Sequence, residues 1–147
     1  MDEAELIKLL MESFKQEAEE HTNTIVKGLI ELEKNPDESR RKSVLEEIYR
    51  SAHSMKGAAR AVSFSDIEKI CQALESCFFL MKNNELKPSS GIYDIFHSVL
   101  KTIDLLLDDS EENPPADVIY RTVDILNNIK YLQDEEYDSI QDDEERT

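Results

Sequence analysis

Apolar residues recur at three- and four-residue intervals along nearly the whole chain, the spacing that lines one face of an α-helix. Leu6, Leu10, Phe14, Ala18, Ile25, Leu29 and Leu32 form a first stripe and predict a helix over roughly residues 3 to 34, closed by Asn35-Pro36-Asp37. Leu45, Ile48, Ala52, Met55, Ala59 and Val62 form a second, which begins after a cap at Asp37 or Ser39 and stops near Ser63. Ser65, with Glu68 three residues on, has the capping-box pattern; it precedes a third stripe of Ile67, Ile70, Cys71, Leu74, Cys77, Phe78 and Met81. Asn83-Asn84, Pro88 and Gly91 punctuate its end. Ile92, Ile95, Phe96, Val99, Leu100, Ile103 and Leu107 predict a fourth helix. After Asn113-Pro114-Pro115 a fifth carries Val118, Ile119, Val123, Leu126, Ile129 and Leu132. Each stripe needs another to cover it, so the pattern predicts an all-α bundle.

Composition agrees. Three glycines and four prolines in 147 residues are too few for a turn-rich β fold, and 39% hydrophobic residues suffice for one core. The domain should span residues 1–133. From Gln133 the periodicity fades into Asp134-Glu135-Glu136 and Gln141-Asp142-Asp143-Glu144-Glu145, so residues 134–147 read as an acidic linker stub toward further domains. A start at Met1 and a charged tail suggest the N-terminal piece of a larger protein.

The charge narrows the function classes. A net charge of −16 repels phosphate backbones and anionic lipid surfaces, which argues against nucleic acid and membrane partners. No apolar run approaches the roughly 18 residues of a membrane span, and the acidic opening is unlike a signal peptide, so a cytoplasmic protein is expected. Cys71 and Cys77 lie six apart on one helix, about 120° from each other round its axis, and read as reduced core thiols. No His/Cys/Asp/Glu set has metal-ligand spacing, and no glycine-rich phosphate loop offers an ATP site.

Of three histidines, His53 stands apart. At about 100° per residue it falls roughly 130° from the centre of its helix's apolar stripe, and so faces outward. Tyr49, Lys56, Gly57 and Arg60 share that side at one-turn or two-turn spacing. If the imidazole takes up a phosphoryl group, the incoming oxyanions need a cation, which Lys56 supplies as a mobile point charge. They also need room, and Gly57 offers it at a helix-propensity cost of about 1 kcal/mol. One ring tautomer must be selected, and the neighbouring third helix offers the carboxylate of Glu75 for Nδ1–H, leaving Nε2 as the nucleophile. Residue types alone leave a plain solvated surface histidine equally open. His21, on the inner stripe of the first helix, reads as a half-buried core residue, and His97 lacks a Lys-Gly neighbourhood.

The run His53-Ser54-Met55-Lys56-Gly57-Ala58-Ala59 resembles the His-Ser-x-Lys-Gly-x-Ala signature of histidine-containing phosphotransfer (HPt) domains, most closely the N-terminal domain of chemotaxis histidine kinases of the CheA type. The likeness extends through Phe14-Lys15-Gln16-Glu17-Ala18, Leu29-Ile30-Glu31-Leu32-Glu33, Glu47-Ile48-Tyr49-Arg50-Ser51-Ala52, Phe64 and Leu74-Glu75. It implies a five-helix bundle with an antiparallel four-helix core and the phosphoacceptor His53 on the second helix. It also implies that phosphate arrives from ATP on the kinase domain of a CheA-type dimer, usually in trans, and leaves to the aspartate of a response regulator of the CheY or CheB type. Lys56 and Glu75 fall on assisting positions, Glu75 as the Nδ1 partner. Gln72 stands where many such kinases carry a second histidine, and Ala58, Arg60 and Ser63 replace glycines often found after the motif. ATP and Mg would be supplied by the partner kinase domain, and Mg again by the receiver, with no cofactor in this domain. The parent protein would be the histidine kinase. Two alternatives are a stand-alone or hybrid-kinase HPt relay and a non-catalytic helical scaffold.

Overall fold

The computed structural model describes residues 1–108 and 114–134. The helices are α1 (Glu3–Glu33), α2 (Glu38–Ala61), α3 (Ser65–Lys82), α4 (Ser90–Leu107) and α5 (Ala116–Asn127). Among the described residues there is no strand. Residues 135–147, most of the expected acidic stub, and Asn113 lie outside the described residues, while Asp134 is helical together with 129–133.

Cross-helix contacts fix the direction of each helix. Phe14 meets Phe64 with ring centroids 5.9 Å apart, while Gly28, one to two turns from the other end of α1, packs on Val44 and Ile48, so α1 and α2 are antiparallel. Pairs from Glu46 with Lys82 to Arg60 with Glu68 run α3 back along α2. His97 pairs with Glu33 and Asp104 faces Glu19, which sets α4 antiparallel to α1 and closes the four-helix core. α5 packs on α3, where the Cys77 thiol donates to the Leu126 carbonyl at 3.3 Å.

Helix ends follow local chemistry. Asp2, Asp37 and Ser89 cap α1, α2 and α4 with side-chain oxygens that accept from a free amide of the first turn. Asn35, Ser63 and Asn84 take the left-handed conformation just past α1, α2 and α3, and Phe64 N–H closes back on Ala59 at 2.9 Å. Gly28 is required by packing: a Cβ there would run into Ile48 Cγ2 and lie 3.3 Å from Val44 Cγ1. Phe78 meets Phe96 edge-on, with centroids 5.6 Å apart, at the centre of the core.

Three expectations need correction. Leu6 and Leu10 belong to the first stripe but are exposed, as is every residue from 1 to 10, because α1 continues past its neighbours. Ser65 makes no capping box: Phe64 occupies the cap position and no side chain accepts there, since the chain has already turned through Ser63. The fifth helix does not run unbroken to Leu132; it stops at Asn127, and the Asn128 side chain turns back onto the Asp124 carbonyl at 2.8 Å.

Candidate functional site

The antiparallel register of α2 and α3 brings together residues about twenty apart in sequence. His53 projects from the middle of α2 with 63% of its side chain exposed, and its Nδ1 lies 3.3 Å from Glu75 Oε1. Glu75 is 13% exposed and Lys56 17%, with Lys56 Nζ 2.7 Å from Glu75 Oε2. That approach is out of line for a hydrogen bond, so Oε2 is compensated by charge alone. Lys56 Nζ donates to Gln72 Oε1 at 3.1 Å. His53, Lys56, Gln72 and Glu75 therefore form one connected cluster.

The arrangement has a definite chemical polarity. A carboxylate beside Nδ1 favours the tautomer with the proton on Nδ1 and leaves the Nε2 lone pair free. Glu75 keeps its orientation because Lys56 holds its second oxygen. Gly57, one turn beyond His53, is exposed, and a Cβ built on it would meet nothing within 4 Å. No packing constraint demands glycine there, so its helix cost is uncompensated by the bundle.

Some neighbours behave differently from their sequence reading. Lys56 is not a mobile charge, being mostly buried between Glu75 and Gln72. The Arg60 charge is offset by Glu68, which holds its Nε at 2.7 Å. Tyr49 is half-buried, tilted against Phe79 with centroids 6.4 Å apart, and Lys82 Nζ sits 4.4 Å over its ring. Among the other histidines, His21 is half-buried beside Glu17 as expected, and His97 pairs with Glu33.

Two residues escaped the sequence reading. Ser76 accepts from Gln72 Nε2 at 3.4 Å and donates to the Gln72 backbone carbonyl at 3.1 Å. Phe79 is exposed beside a pocket of about 270 Å³ lined by Tyr49, Glu75, Ser76 and Leu80. Both lie one turn past a cluster residue, Ser76 after Gln72 and Phe79 after Glu75. An aromatic outside the apolar stripe was the available signal.

Cys71 and Cys77 are free and buried, as expected, and burial pushes both thiols up to about 12, with the Glu75 carboxylate adding to the effect at Cys71. They are inert toward electrophiles at neutral pH. Among the described residues no helix is long and apolar enough to cross a membrane.

A helical bundle that presents an exposed histidine backed by a carboxylate and a lysine defines a phosphotransfer scaffold. The Hpt domain family model matches residues 9–113, and the chain belongs to that family. Among curated proteins it is 27% identical over 100 residues to the chemotaxis protein CheA of Listeria monocytogenes, covering 68% of this chain and 16% of the relative. It is 29% identical over 107 residues to CheA of Halobacterium salinarum, covering 73% and 16%. Against the sensor histidine kinase CheAY of Helicobacter pylori it is 30% identical over 97 residues, covering 66% and 11%. The match thus covers about a sixth or less of each relative's length. The chain is a phosphotransfer domain related to the Hpt regions of CheA proteins, in the class of two-component signalling.

Proposed function

We propose that His53 is the phosphoryl carrier between a CheA-type kinase domain, acting in trans on ATP, and the aspartate of a response regulator of the CheY or CheB type. The observation that carries this reading is the exposed imidazole with Nδ1 against a mostly buried carboxylate, 3.3 Å away.

In the first step the Nε2 lone pair attacks the γ-phosphorus of ATP held with Mg by the kinase domain. The N–P bond forms, the bond from γ-phosphorus to the bridging oxygen breaks, and ADP leaves with that electron pair. The Nδ1 proton stays between the ring and Glu75, which offsets the positive charge the ring acquires. In the second step a receiver aspartate oxygen attacks phosphorus, the N–P bond breaks, and its electrons return to Nε2. Lys56 is the cation within reach of the transferring oxygens, and Gly57 leaves the flank of the ring open to both partners.

The docking face for these transient encounters is the α2–α3 surface beside His53, with Tyr49, Phe79 and Leu80 forming its apolar part. Phe64 is spent in packing on Phe14. Its relatives include chemotaxis proteins CheA and a sensor histidine kinase CheAY, which favours that setting over a stand-alone relay.

The test is incubation with the kinase domain of a CheA relative and labelled ATP. Acid-labile, base-stable label is expected on the parent chain and none on His53→Gln. Label persisting in that variant would end the assignment, and a chain that binds the kinase but never takes label would be a scaffold.

A further inference from the structure

We propose that Ser76 and Gln72 form a positioning relay that holds the Lys56 ammonium against Glu75, and that the neutrality of Gln72 lets Lys56 leave for an arriving phosphoryl group.

The relay deepens the phosphotransfer reading and rests on it. Its geometry begins at Ser76, whose hydroxyl donates to the Gln72 backbone carbonyl at 3.1 Å and therefore turns a lone pair toward the Gln72 side chain. Gln72 Nε2 donates to that oxygen at 3.4 Å, which leaves Oε1 pointing at Lys56 Nζ, 3.1 Å away. The flipped amide would set its NH2 against an ammonium and its carbonyl against a hydroxyl whose proton is already engaged. Both ends of the amide select the same orientation, so a serine one turn along α3 decides which face Lys56 meets.

Lys56 then has one hydrogen-bond acceptor, the Gln72 amide oxygen at 3.1 Å, and one charge partner, the Glu75 carboxylate at 2.7 Å. An ammonium carries three donors and only one is committed to a hydrogen bond, so donors remain for a ligand. A phosphoryl group brings close to two negative charges, and hydrogen bonds to ionised acceptors are roughly twice as strong as those to neutral ones. The neutral amide yields its hold to such a competitor, whereas a second carboxylate at position 72 would retain the lysine. Gln72 and Ser76 touch neither phosphorus nor the ring in this scheme. They act through Lys56.

The experiment follows the Lys56 ammonium by nitrogen-15 NMR in the free chain and, separately, the rate of His53 phosphorylation by a CheA-type kinase domain. In the parent chain Lys56 Nζ is expected to be ordered. Ser76→Ala should disorder it and lower the phosphorylation kcat by about two- to tenfold, the worth of one hydrogen bond, with KM for the chain unchanged. Ser76→Thr keeps the hydroxyl and should restore both. Gln72→Glu should order the ammonium further and still slow phosphorylation, so that order and rate move in opposite senses. An ammonium equally ordered in Ser76→Ala, a Ser76→Thr variant as poor as Ser76→Ala, or faster phosphorylation of Gln72→Glu would each overturn the relay. A chain that takes up no phosphate at all would overturn the carrier reading instead, and the ammonium measurement would still judge the Ser76–Gln72–Lys56 geometry.

Discussion

Replacing Gly57 by alanine separates folding from function at a single atom. The glycine sits inside α2, where alanine is favoured by about 0.8 to 1.0 kcal/mol. A Cβ there meets nothing within 4 Å, so neither the core nor the His53 ring is disturbed and nearly the full helix gain should appear as stability. For a domain of this size that is a rise in Tm of about 3 to 5 °C. The methyl group nevertheless occupies the surface one turn from the imidazole, where a partner must come within van der Waals contact. A clash of about 1 kcal/mol in the transfer complex would slow phosphate uptake roughly fivefold. The paired assays are thermal unfolding and the rate of labelling by a kinase domain. A less stable variant would show that packing needs the glycine, against the open space around it. A variant more stable and equally fast would show that the gap has no part in partner access.

Three further outcomes are expected. Glu75→Gln should slow phosphorylation of His53 by about tenfold or more, with imidazole nitrogen shifts reporting a mixture of tautomers in place of one. Gly28→Ala should lower stability by about 1 to 3 kcal/mol in chemical denaturation, because the added carbon collides with Ile48 while α1 and α2 are held by the rest of their seam. Asp104, exposed on the side of α4 that faces α1, has its carboxyl raised, first by partial desolvation and then by the facing Glu19 carboxylate. Its folded value lies above the unfolded one, so it costs nothing below the unfolded value near 3.8 and costs stability progressively as pH rises through the folded value. Asp104→Asn should therefore melt above the parent at neutral pH, with the advantage vanishing toward pH 3.5 or so; a constant difference at all pH values would contradict the assignment.

What the chain disclosed in advance follows from the range of each interaction. Helix positions, the outward face of His53 and the buried thiols depend on periods of three and four residues, which are local and visible. The pairing of His53 with Glu75 also came through, since a motif fixed one partner and the adjacent helix carried few acids on the right face. The burial of Lys56 did not, because a lysine at an outward position reads as solvated until the register of α3 places Gln72 and Glu75 over it. Leu6 and Leu10 misled for the opposite reason: periodicity shows that residues share a face, but only tertiary structure shows whether anything lies opposite. The Ser65 pattern failed where the left-handed Ser63 had already turned the chain, leaving Phe64 at the cap.

The overhang of α1 bears on where the cooperative unit begins. Its first two turns carry leucines and an isoleucine in water and contribute no buried side chain before Phe14, while the family match opens at residue 9. Those turns should open and close independently of global unfolding, exchanging their amide protons within moments while amides near Ile25 and Leu29 wait for the whole bundle to come apart. A chain trimmed to start near Glu5 or Lys8 would then keep the melting profile of the full one, making the overhang an appendage to the fold rather than part of its foundation.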